Sequence, residues 1–91
     1  MTSQQRFFEM LNQVPRIKHL WDQDTREINV EAFERELRVM SSGEIHIAKF
    51  FAAVWFNDNT RYGFDIVDAA ARLDKKSLNL IRDWLADPFW P

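Results

Sequence analysis

From Ser41 the chain reads SSGEIHIAKFFAAVWF, and ten of the twelve residues from Ile45 to Phe56 are apolar. A run this apolar has to be enclosed on nearly every side. It therefore dictates a central helix with the rest of the chain wrapped around it. Ser41 and Glu44 stand in capping-box spacing, so the Ser41 hydroxyl can accept from the Glu44 backbone N–H while the Glu44 carboxylate accepts from that of Ser41. The spacing predicts a helix over about residues 44–57. His46 and Lys49 are three apart and fall on one side with the small Ala53, which leaves a narrow strip for water and predicts burial for the remainder. The run is well short of the roughly 20 apolar residues a membrane-spanning helix requires.

The rest of the sequence is also helical in pattern. Only two glycines and three prolines interrupt 91 residues, apolar residues recur at three-and-four spacing, and no β-branched run alternates with polar residues. Thr2 and Gln5 repeat the capping-box spacing ahead of Phe7, Phe8 and Leu11. Pro15 stops that helix and opens a short second one carrying Ile17, Leu20 and Trp21. Residues 22–29, DQDTREIN, read as a loop or a ragged helix start. Asn29 caps VEAFERELRVM, with Phe33, Leu37 and Met40 on one stripe and Glu31, Glu34, Arg35 and Arg38 facing water. Residues 57–63 are a loop, Asp65 caps IVDAAARL, and Asp74 caps KKSLNLIRDWLAD, whose apolar stripe reads as Leu78, Ile81 and Leu85 beside Trp84. Pro88 ends that helix. The fold class is therefore all-α: a compact single domain, residues 1–91, of five or six short helices around the central one. Eight Phe and four Trp give so short a chain enough bulk for a core.

Composition excludes several kinds of chemistry. There is no cysteine, so disulfides, zinc thiolates, iron–sulfur clusters and thiol nucleophiles are ruled out, which suits a reducing cytoplasm. The opening MTSQQRFFEM lacks the basic start and apolar run of a secretory signal. Twelve basic and fourteen acidic residues give a formal charge of −2, evenly spread, with no basic block of the kind that marks nucleic-acid or anionic-membrane binders.

Each chemical constellation has a plainer structural explanation. The loop from Asp58 places Gly63 where a calcium loop needs glycine, but Tyr62 and Ala69 stand where ligands are required. His19 and His46 have no second ligand at helical spacing, and His46 shows no partner for acid–base work. The helix start at residues 41–44 could attract a phosphate, but Glu44 would repel it. Asp65 and Asp68 read as a helix start. No cofactor, metal or small-molecule motif is present, and no catalytic residue is assigned. The last two helices, joined at Leu73 and Asp74, offer a helix-turn-helix alternative in which Lys75, Lys76, Asn79 and Arg82 would meet DNA. Asp74, Asp83 and Asp87 flank that strip and argue against it.

GFDIVDAA, the later LD and the closing WLADPFWP, together with the helix from SSGE to VWF, resemble the C-terminal half of a family of small uncharacterised bacterial cytoplasmic proteins. The likeness covers about residues 41–91. It implies a bacterial, cytoplasmic setting and carries no activity. The expected function is a non-enzymatic protein–protein interaction or adaptor module, with a protein partner or a second copy as its target. The closing DPFWP is central to this expectation, because Phe89 and Trp90 are large apolar side chains at a position where chains are usually polar. Burying them would remove roughly 150 to 250 Å² each from water. The tail, residues 87–91, held extended by Pro88 and Pro91, is expected to fold back on the helices, with insertion into a groove on a partner or a second copy as the alternative.

Overall fold

A computed structural model describes all 91 residues. Six helices follow in order: α1 Ser3–Leu11, α2 Pro15–Lys18, α3 Val30–Leu37, α4 Ser42–Phe56, α5 Ile66–Arg72 and α6 Lys75–Ala86, with two short strands, β1 Trp21–Asp22 and β2 Glu27–Ile28, between α2 and α3. The starts are set by local chemistry. Thr2 with Gln5 and Ser41 with Glu44 both form reciprocal capping boxes, and Asn29, Asp65 and Asp74 each accept from backbone N–H groups in the first turn of the helix they open. Side-chain oxygens thus satisfy donors that have no partner within the helix.

Around α4 lies one continuous core that runs from Phe7 near the start of the chain to Phe89 near its end. Phe51 is fully enclosed and meets Phe7 edge-on at 5.5 Å and Phe50 at 5.5 Å. Trp21 packs on Phe33 at 5.9 Å and on Phe7 at 5.6 Å. The radius of gyration, 12.1 Å, is about the 12 Å expected of a folded chain of this length, so no segment hangs free.

Four features differ from the sequence reading. The fold is mostly but not purely helical: β1 and β2 pair antiparallel, with Trp21 opposite Ile28 and Asp22 opposite Glu27. Asp22 Oδ1 accepts from the N–H groups of Asp24 and Thr25, and Arg26 takes the left-handed conformation, φ 59°. This closes a hairpin where a loop or helix start was expected. The short second helix accordingly ends at Lys18, and Leu20 and Trp21 reach the core from beyond it. In α4, Ile45, Trp55 and Phe56 are only half-buried, and so are His46, Lys49 and Ala53, because α4 is covered unevenly. In α6 the inward stripe is Leu80 and Ile81 with Trp84, while Leu85 is 57% exposed. The apolar residues 78, 80, 81, 84 and 85 support two overlapping stripes, and packing against Phe50 selects the one containing Trp84.

A polar clamp ties α2, α3 and α4 together at the surface. Arg16 bonds Glu36 at 2.6 Å and approaches Glu44 at 3.4 Å, and His19 Nε2 lies 2.7 Å from the other Glu36 oxygen. The Arg16 guanidinium holds the Glu36 carboxyl below the usual carboxylate range. The Ser41 and Ser77 backbone N–H groups do the same for Glu44 and Asp74.

Two predictions follow from this packing. Phe51→Ala removes a fully buried ring and should lower stability by about 3 to 5 kcal/mol, read as a fall in the urea midpoint. An unchanged midpoint would put α4 outside the core. The second prediction concerns pH. Glu36, Glu44 and Asp74 are all depressed in the folded state, so the unfolded chain binds protons first and the stabilisation is complete above the unfolded carboxyl range. The urea midpoint should be flat from neutrality to about pH 5 and decline below about pH 4.5. The decline should be shallower in Glu44→Gln, and equal slopes would show that the cap contributes nothing to acid lability.

Candidate functional site

Pro88 cannot continue α6, and Asp87 turns the chain back across the bundle. The Trp84 indole Nε1 donates to the Phe89 carbonyl at 2.9 Å, and Arg6 donates to the Asp87 carboxylate at 3.0 Å and to its carbonyl at 3.3 Å. The Arg6 guanidinium also lies 4.1 Å from the centre of the Phe89 ring. Polar contacts on both sides thus fix the tail, and Phe89 enters the core at 7% exposure.

Trp90, next in sequence, does the opposite. Its ring stands edge-on to Trp84 at 5.6 Å and 86°, yet it remains 51% exposed. Trp84 meets Phe50 at 5.6 Å, and Phe50 meets Phe64 at 5.7 Å. These four aromatics wall a cleft of about 260 Å³ against the C-terminal end of α4, with residues 57–59 also lining it. Asn57 takes the left-handed conformation, φ 52°, and ends α4 there. Asp58 folds its carboxylate back, with Oδ1 accepting from the Thr60 N–H at 2.9 Å and the Thr60 hydroxyl at 2.7 Å. The Thr60 hydroxyl bond holds the Asp58 carboxyl below its usual range, so it carries a full negative charge at neutral pH.

The other sequence candidates lie apart from this cleft. Lys75 and Lys76 are exposed in the first turn of α6, and Asn79 is half-buried. Arg82 is exposed but turned onto Asp83 at 3.1 Å. His46 is half-buried, with Nδ1 enclosed and without a hydrogen-bond partner, and no His, Asp or Glu group gathers in a way suited to a metal ion. A wider hollow of about 860 Å³ lies beside the hairpin, bordered by His19, Asp22, Glu27 and Glu31, but the nearest partner of His19 is Glu36 in the surface clamp.

Phe50, Asp58, Phe64 and Trp84 were not singled out as site residues by sequence. Phe50 and Trp84 read as core, and Asp58 read as part of a failed calcium loop. The available signal was the pair Trp84 and Trp90 on either side of Pro88, where a reversal of the chain can bring two indoles together. Comparison with protein-family models, curated proteins and solved structures gives no match. No helix is long and apolar enough to cross a membrane.

The split within the tail has a direct test. Phe89→Ala should cost about 3 to 5 kcal/mol, as for other buried phenylalanines. Trp90→Ala, at half exposure, should cost no more than about 1 kcal/mol. Urea denaturation of the two variants checks this, and equal losses would mean that Trp90 belongs to the core.

Proposed function

We propose that the protein is a non-enzymatic interaction module of the bacterial cytoplasm that grips another protein through the cleft between Trp84 and Trp90. One observation carries this reading: the tail buries Phe89 and leaves the adjacent Trp90 half exposed at the cleft. A tail that served stability alone would gain by covering both rings, at about 25 cal/mol for each Å² removed from water. Tryptophan is also prominent among the few residues that dominate binding energy at protein interfaces. The cytoplasmic setting is supported by the resemblance of residues 41–91 and by a chain with no cysteine.

A photo-crosslinking amino acid placed at position 90 in the expressing cell tests the proposal, with position 25, in the exposed hairpin turn, as control. Discrete protein adducts should form from position 90 and not from position 25. Trp90→Ala should abolish co-purification of the adduct partner while its urea midpoint falls far less than that of Phe89→Ala. Absence of a discrete adduct from position 90 would overturn the reading.

A further inference from the structure

Two aromatic faces in this chain that are not wholly covered by apolar groups are capped by arginine. Arg6 lies over Phe89 at 4.1 Å, and Arg61 lies over Phe56 at 4.1 Å, with Tyr62 at 5.6 Å. The cleft between Trp84 and Trp90 is also aromatic, but no lysine or arginine lines it.

Several features of the cleft favour a cation. Aromatic rings attract one over their faces. The cleft is built on Ala53, Val54 and Asn57 at the C-terminal end of α4, where the helix dipole favours a cation. Asp58 is the one charged residue lining it; both bonds from Thr60 fall on its Oδ1, and the backbone N–H and charge of Arg61 also act on its carboxylate. The volume, about 260 Å³, falls below the roughly 300 to 1,000 Å³ of pockets that enclose drug-sized ligands. It suits the head of a single side chain.

We infer that the cleft receives an arginine side chain presented by a partner protein, with the guanidinium lying against Trp84 and Trp90, stacked on one of the two rings, and paired with Asp58. This rests on the proposed interaction reading and names the chemistry of its partner. A guanidinium fits better than a lysine ammonium, because it is more weakly hydrated and can stack on a ring while its edge donates to a carboxylate. The partner is taken to be a different protein rather than a second copy because the chain is acidic overall, at −2, so that two copies repel each other. Arg6, Arg16, Arg61 and Arg82 are engaged on its own carboxylates or rings, and sedimentation tests whether the exposed Arg35, Arg38 or Arg72 of a second copy enters the cleft.

The test uses the full chain, followed by tryptophan fluorescence and the indole N–H signals in NMR. It is titrated with N-acetyl-arginine amide, with the citrulline analogue of the same shape and no charge, and with the lysine analogue. The arginine probe should shift the Trp84 and Trp90 signals saturably, with an affinity about three- to tenfold above that of citrulline, the range for a partly desolvated cation on aromatic rings, and above that of lysine. Asp58→Asn keeps an acceptor for Thr60 and should narrow the gap to citrulline. Trp90→Ala should remove the response while the chain stays folded, with a urea midpoint close to that of the wild type. Equal binding by citrulline overturns the cationic occupant, equal binding by lysine overturns the guanidinium, and no saturable shift overturns both. Sedimentation of the chain alone should give a monomer; a dimer dispersed by Trp90→Ala would make the occupant a second copy and overturn the separate partner. If crosslinks form from position 90 while the arginine probe fails, the interaction face stands and the guanidinium falls. Failure of both removes the two together.

Discussion

The ring of Phe7 is the point on which the fold depends. Fully enclosed, it touches Phe8, Trp21, Phe51 and Trp55 at centroid distances between 5.1 and 5.6 Å. Through it the first helix, the first strand and the central helix share one set of contacts. Edge-to-face and tilted aromatic pairs gain something beyond the area they bury, but only at particular separations and angles. This orders the elements more tightly than an aliphatic core of equal volume would. The β1–β2 hairpin makes sense in this setting, since it delivers Trp21 to Phe7 and Phe33 from a segment in which every residue between Trp21 and Ile28 is polar.

From that centre the aromatic contacts run through Phe51 and Phe50 to Trp84, and from Trp84 to Trp90 at the surface. The rings of the proposed contact face thus belong to the same packed network as the core, and a binding surface seated on such a network needs little reordering when it is used. Polar contacts hold the edges. Arg6 pins the tail from α1, Trp84 pins it from α6, and Arg16 locks the opposite end of α4 to α3 through Glu36 while approaching Glu44. These surface pairs are each worth little in isolation, and their value lies in fixing where the aromatic elements meet.

Much of the candidate site was hidden in the sequence for a physical reason. Phe50 and Trp84 have the same pattern whether they face the middle of the core or its edge, because periodicity reports which side of a helix is apolar and not how far a neighbour extends over it. Asp58 and Phe64 belong to the cleft only because the loop after α4 folds back on itself, with the Phe64 N–H donating to the Asn59 carbonyl at 3.0 Å. Phe89 and Trp90 were conspicuous as a pair, but their opposite fates depend on Arg6, more than eighty residues away in sequence. The hairpin was missed because its two-residue strands are too short to show alternation and its turn places Arg26, not glycine, in the left-handed region.

What the sequence by itself determined was local. Capping oxygens at Thr2, Asn29, Ser41, Asp65 and Asp74 act within three residues of themselves, and prolines at 15 and 88 restrict their own backbone and that of the residue before them. The helix starts and the helical class are therefore legible without knowing what packs where. The largely apolar run of α4 likewise requires a centre, whatever surrounds it. Tertiary structure alone decided which of two overlapping stripes on α6 turns inward, which of two adjacent aromatics on the tail is covered, and that four rings, from α4, the loop after it, α6 and the tail, leave a cleft open between them. Those outcomes depend on contacts between residues far apart in sequence, which local backbone and capping chemistry does not specify.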